Sequence, residues 1–255
     1  MQKQEKELIA RIAAGDRLDA ESVLPASYRS ELTRLMVILA DSELAGAAGF
    51  CPWINRGPGL RERIVAAKIV AEKYVHAELA LNLLVPFGVN PQLYVRSHAW
   101  DARLDRDVDL GTRRVGGDKR LNVFHYPLQG WDDAVVFNML MGSATAIQLA
   151  ELVNCSYAPL AAEIDRILPR EQEHAAVGES GTRDAIARGG HAAAIQASVD
   201  YWYPRVAATF GRVESDHAER YIAYGLRRRD NASMLADWTR QTATACGRLG
   251  LKLPA

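Results

Sequence analysis

The sequence predicts an all-α protein: a four-helix bundle with additional C-terminal helices, forming one domain over residues 1–255. Three observations lead there. Long segments repeat apolar residues at three- and four-residue spacing, which is the pattern of one buried helix face. Strand-like alternation is absent, and so are internal repeats and low-complexity tracts. Finally, two acid-and-histidine pairs, in Glu72-Lys73-Tyr74-Val75-His76 and in Glu171-Gln172-Glu173-His174, stand on two different long segments. That is how a bundle aims metal ligands into its core from several helices.

Residues 2–13 read as a short amphipathic helix ending near Gly15. Leu24-Pro25 leads into the first long helix, with Pro25 in the position proline favours at a helix start. Along it Leu32, Leu35, Leu39, Glu43 and Gly46 share a face, so Glu43 continues an apolar stripe where an unpaired carboxylate is costly. A loop with Pro52, Gly57 and Pro58 follows. The second long helix runs from Leu60 to about Val85, stopped by Pro86 and Gly88. Its inward stripe is Val65, Ile69, Lys73, His76, Ala80 and Leu83, with Glu72 beside it.

Residues 91–105 look helical, and 106–130 read as a long loop of the kind that is often functional. Trp131 opens the third helix, which reaches about Asn154, and the fourth spans about Tyr157 to Val177. Pro169 lies inside the fourth and is expected to kink or restart it. Gly178, Gly181, Gly189 and Gly190 punctuate the chain before a fifth helix from about His191 to Phe210. Residues 214–248 form one or two more, broken near Arg229-Asp230-Asn231.

Bulk composition excludes several classes. Lys plus Arg equals Asp plus Glu at 31 each, so no net field steers the chain to nucleic acid or to an anionic membrane. The first residues lack the apolar core of a secretion signal, and Leu79 to Val89, read as the most apolar stretch, is too short to span a bilayer. Cys51, Cys155 and Cys246 are scattered, which suits a reducing cytoplasm better than a disulfide framework.

Residues three or four apart share a helix face, so Glu171 and His174 can grip one ion, and so can His76 with Glu72 or Lys73. Imidazole and carboxylate together suit iron, manganese or zinc. Each residue alone has a plainer reading. His76 fits a hydrogen-bonded core histidine, Lys73 a cation that snorkels to solvent, and Glu171-Gln172-Glu173 a solvated helix start. Two pairs on inward faces, with an inward Glu43, favour a metal centre over a metal-free polar core.

From about Ile9 to Pro254 the chain resembles the catalytic subunits of bacterial phenylacetyl-CoA epoxidases, which are ferritin-like multicomponent oxygenases. The resemblance rests on Leu24-Pro25-Ala26-Ser27-Tyr28-Arg29, Asp41-Ser42-Glu43, Trp53-Ile54, Phe124-His125-Tyr126-Pro127, Ser156-Tyr157-Ala158-Pro159, Glu171 to His174, Tyr201-Trp202-Tyr203-Pro204 and Phe210-Gly211. It implies two irons between four helices, oxygen insertion into the ring of an aromatic CoA thioester, and electrons from a separate flavin and iron–sulfur reductase. It also implies pairing with another ferritin-like chain, as a homodimer or heterodimer. Glu43, His76, Glu171 and His174 match family ligands. Lys73 falls where the family has a glutamate and Gly142 where it has an aspartate.

Two carboxylates are thus gone and one cation added, a swing of about three charge units in a low-dielectric core. Two metals are not expected. One iron or manganese held by Glu43, His76, Glu171 and His174, with Glu72 as an additional ligand, is the first expectation. The alternative is no metal, with Lys73 salt-bridged to Glu43 and Glu171, in a silent partner subunit. A third gives Lys73 a catalytic role, as a neutral ligand, a nucleophile in a cavity left by Gly142, or a carbamate. The substrate expected of an active centre is a small aromatic or acyl compound.

Overall fold

The computed structural model describes residues 3–113, 115–189 and 192–254. The described residues form an all-α ferritin-like bundle, with a lone backbone bridge between Leu18 and Tyr157 as their one trace of β pairing. Helix α1 spans Lys3–Ala13, α2 Ala26–Phe50, α3 Leu60–Leu84, α4 Pro91–Arg96, α5 Trp131–Ala150, α6 Ala158–Ala187, α7 Ala192–Ala207, α8 Asp216–Ala223 and α9 Asn231–Arg248. In the bundle α2 packs along α3 and α5 along α6, while α3 meets α6 across the core. Helices α7 and α9 lean on the outside of α5.

Local chemistry explains most boundaries. Gly15 and Gly88, both at positive φ, follow the ends of α1 and α3. Asn90, Ser215 and Asp230 cap α4, α8 and α9 by accepting a backbone N–H three residues on. Pro25 sits one residue before α2, as its cap residue, and not inside the first turn. The fifth helix is expected from His191, which lies outside the described residues; α7 is described from Ala192.

Three expectations need correcting. Helix stops at Arg96 and does not reach 105, because the carbonyls beyond it are taken by side chains. Arg103 donates to the carbonyls of Trp100, Ala102 and Ala45, and Arg120 to those of Ala99, Trp100 and Ala102. Pro169 neither ends nor restarts α6, which runs through it. It lies on the exposed face, so the carbonyl that its ring leaves unbonded can be hydrated. Gly178 and Gly181 do not punctuate anything, since both are inside α6 and mark its contact with α5. A Cβ on Gly178 would stand 2.3 Å from the Met139 nitrogen. Two longer segments, Ala26–Arg56 and Trp131–Ala150, are apolar over an 18-residue window. By length and composition both could cross a membrane, but 61% of each apolar window is buried, as expected of core helices.

The described residues of the 97–130 loop are tied to α2. Asp41 accepts from the Lys119 backbone N–H and the Tyr94 hydroxyl, and Ser42 accepts from the Leu121 N–H. Residues 39–47 of α2 are therefore buried on every side, Glu43 among them. All three cysteines are free thiols, Cys51 exposed and Cys155 and Cys246 buried.

Packing of α5 on α6 yields a paired prediction. Gly178→Ala should destabilise the protein by about 2–3 kcal/mol, because the added methyl meets backbone that cannot give way. Gly247→Ala in α9, where nothing stands within 4 Å of the new Cβ, should be neutral or stabilising by up to ~1 kcal/mol. Urea unfolding of the two variants checks both signs.

Candidate metal centre

Three helices bring the site together. Glu43 comes from the fully buried stretch of α2, Glu72, Lys73 and His76 from one face of α3, and Glu171 and His174 from α6. Glu43, His76, Glu171 and His174 are all buried, at 4%, 3%, 1% and 2% exposure. The His76 and His174 rings stack with centroids 6.0 Å apart. The inward faces read from the sequence therefore do converge on one point in the bundle.

Glu171 is the hub. Its Oε1 lies 3.0 Å from His76 Nδ1, 3.2 Å from His174 Nδ1 and 3.1 Å from Lys73 Nζ, and its Oε2 is 3.2 Å from the same ammonium. Lys73 Nζ also donates to Glu43 Oε2 at 3.3 Å, and that oxygen stands 3.6 Å from His76 Nδ1. Lys73 thus bridges the two buried carboxylates and does not snorkel outward. Glu72 stands on the far side of His174, its Oε2 2.7 Å from Nε2. It buttresses that ring and makes an ion pair with Lys68 at 3.6 Å.

The ionisation states follow from these contacts. Burial lowers the basicity of Lys73, but the carboxylates of Glu171 and Glu43 outweigh it and carry its pKa above the ordinary lysine value. Burial likewise opposes charge on Glu171, and the Lys73 ammonium with bonds from His174 and His76 holds it well below the usual carboxylate range. Burial disfavours imidazolium at His76 too, yet bonds to Glu171 and Glu43 raise it to about 9. Charged Lys73 and protonated His76 thus face ionised Glu171, with Glu43 against both.

The fit to metal differs for two ions and for one. Helix α5 supplies no ligand where Gly142 stands, and no side chain fits there. A Cβ on Gly142 would lie 2.9 Å from the Ala175 Cα and 3.1 Å from its nitrogen, so an aspartate at 142 would force α5 and α6 apart. With Lys73 holding both carboxylates as well, a two-ion centre does not fit these residues. Glu43, His76 and Glu171 do each present a ligand atom within 4.8 Å of the others. A single ion there would need Lys73 to move out.

Beside the cluster is a cavity of about 30 Å³, lined by Gly46, Phe124, Phe137, Met141 and Gly142 among others. It has room for one or two waters, whereas benzene fills a cavity of about 150 Å³. Two polar residues near it were not read from the sequence. Asn138 donates to the His174 carbonyl at 3.0 Å, tying α5 to the ligand-bearing turn of α6. A lone amide in the apolar run Val135-Val136-Phe137-Asn138-Met139 is its signal. Arg103 reaches the Ala45 carbonyl through the gap left by Gly49, whose missing Cβ would sit 2.1 Å from the guanidinium.

Comparison with known proteins agrees with this architecture. Residues 16–255 match the family described as phenylacetic acid catabolic protein. The chain is 25% identical over 256 residues to one of the polypeptides of the 1,2-phenylacetyl-CoA epoxidase of Escherichia coli (strain K12). That alignment covers 98% of this chain and 77% of the relative.

The ion cluster predicts its own fragility. Lys73→Met should destabilise the protein by about 3–5 kcal/mol, since it strands two buried carboxylates together. Lys68→Met, removing an exposed cation, should cost under ~1 kcal/mol. Chemical denaturation of both variants measures the contrast.

Proposed function

The chain belongs to the phenylacetic acid catabolic protein family, and from that premise we propose that it works in an oxygenase assembly of the phenylacetyl-CoA epoxidase type as a partner subunit without its own metal pair. The observation that carries this reading is the Lys73 ammonium between Glu43 and Glu171. A diiron centre needs carboxylates as ligands and as counter-charge for two dications. Here the Lys73 ammonium and His76 already occupy both acids. The tight cavity beside Lys73 supports the same reading, because no aromatic ring fits in it.

In this role the bundle supplies shape and a docking partner. Oxygen activation, iron and the exchange of electrons with a reductase belong to a second ferritin-like chain, and the substrate class is an aryl or acyl CoA thioester. A charged Lys73, held by two carboxylates, has no lone pair with which to act as a nucleophile, to ligate a metal or to form a carbamate. The cytoplasm, where such CoA chemistry takes place, is the proposed location.

One observation favours a second reading. Glu43, His76 and Glu171 form a three-donor set of the size that one iron or manganese uses. On that reading Lys73 swings aside when an ion enters, His174 adds a fourth donor, and the chain is itself an oxygen-activating enzyme. The metal supplies the oxygen chemistry, while the protein orients the ligands through the Glu72–His174 contact.

Metal analysis separates the two. After reconstitution with ferrous iron or manganese and desalting, the wild-type protein should hold no stoichiometric ion, and its melting temperature should not respond to either metal. Lys73→Ala frees the donor set, so divalent metal should stabilise that variant, by about 2.7 kcal/mol at a hundredfold excess over Kd. One tightly held ion per wild-type chain would overturn the partner-subunit reading in favour of the single-ion enzyme.

A further inference from the structure

A cleft of about 350 Å³ opens between α3 and α6, with α5 and the last residue of α2 completing its wall. Gly178 and Gly181 line it from α6 and carry no side chain to fill it. Its wall is largely apolar, built by Phe50, Val65, Ile69, Trp131, Val135 and Val177. Val177 stays 37% exposed, so this apolar surface is open to solvent. The cleft shares Phe50, Ile69 and Asn138 with the 30 Å³ cavity, yet neither Lys73 nor any of Glu43, His76, Glu171 and His174 lines it. Unlike that cavity it has room for a six-membered ring, for which about 150 Å³ is enough.

Four more polar side chains line the cleft, Arg61 and Glu62 from α3 and Ser180 and Asp184 from α6. Asn138 is spent on the His174 carbonyl. Among the described residues the other four make no side-chain hydrogen bond or ion pair. Arg61 and Glu62 are adjacent on a helix and so do not face each other. The charges around the cleft behave differently. Lys68 pairs with Glu72 and Glu173, Glu179 with Arg183 and Arg248, and Asp132 with Arg188. The cleft therefore sets two unspent carboxylates against one unspent guanidinium beside an apolar wall, in a chain whose net charge is zero.

We propose that this cleft binds a small organic amine that carries an aromatic ring. The ring packs on the apolar wall, where Phe50 and Trp131 offer the aromatic neighbours that rings prefer. The ammonium meets Asp184 and Glu62, and the Trp131 ring adds to its attraction. A carboxylate in the same place would face two like charges and one opposite charge. A neutral alcohol would keep the ring contacts and lose the ionic ones.

Calorimetric titration of the full-length protein, at neutral pH and fixed ionic strength, tests this with three probes of one shape: 2-phenylethylamine, 2-phenylethanol and phenylacetate. The amine should bind saturably, with the alcohol at least about threefold weaker and the acid at least about tenfold weaker. In the Glu62→Gln/Asp184→Asn double variant Arg61 is the one charge left on the cleft, so the order should reverse and the acid should bind more tightly than the amine. If that variant fails to fold, Asp184→Asn alone, at an exposed position, must still narrow the gap between amine and alcohol. Asp165→Asn removes another exposed acid of α6, nineteen positions earlier (165 to 184), or about 28 Å along the helix, and should leave the order unchanged. Ser180→Trp, also at an exposed position, fills the cleft and should abolish binding of the amine and the alcohol. No saturable heat with the amine, equal affinities for amine and acid, or an unchanged order in the double variant overturns the proposal. Metal content enters none of these readouts, so the result is independent of the role assigned to Lys73.

Discussion

The structure depends on one buried carboxylate. Glu171, at 1% exposure, carries its charge in the middle of four helices and is compensated there by Lys73, His76 and His174. A lone ionised acid in that place would be expelled or neutralised, because its desolvation is worth several kcal/mol. The cluster therefore has to be assembled whole, and each helix is fixed in rotation by the member it contributes. Helix α3 is held by Lys73 and His76 to both α2 and α6, which sets the register of the bundle more sharply than apolar packing alone.

Packing and electrostatics answer each other at Gly142. Helices α5 and α6 approach so closely that Gly142, Gly178 and Gly181 each face the neighbouring helix without room for a further atom. That approach removes any place for an acid on α5. Fewer acids leave less negative charge in the core, and one ammonium with one imidazolium is then enough to balance it. The 30 Å³ cavity, the close helix pair and the lysine occur together at one place in the core.

Much of this was legible in the sequence. Apolar periodicity located the bundle helices, and the spacing of Glu171 with His174 and of Lys73 with His76 placed all four side chains inward. The pairing of Lys73 with Glu43 and Glu171 was one of several alternatives that charge left open once the family resemblance had set these residues side by side. What stayed hidden were effects of neighbours distant in the chain. Nothing local marks 97–105 as non-helical, because the reason is that Arg103 and Arg120 claim its carbonyls. Gly178 reads as a breaker until α5 is known to lie against it. Glu72 reads as a reserve ligand, and only the position of His174 on α6 turns it into a brace. The cleft between α3 and α6 draws on four helices, so no single window of sequence contains it.

Why the core stays charged can be argued from the cost of leaving it. Replacing a buried ion cluster by well-packed apolar residues is often neutral or stabilising, whereas removing one partner costs about 3–5 kcal/mol. Any path from this cluster to an apolar core begins with such a removal, and a loss of that size consumes much of the roughly 5–15 kcal/mol that ordinary domains possess. Exchanging an acid for Lys73 is the one kind of single step that lowers the negative charge and supplies a cation together. A bundle that gave up metal by that step would keep its remaining acids and both histidines, each held in place by the penalty of stranding the others.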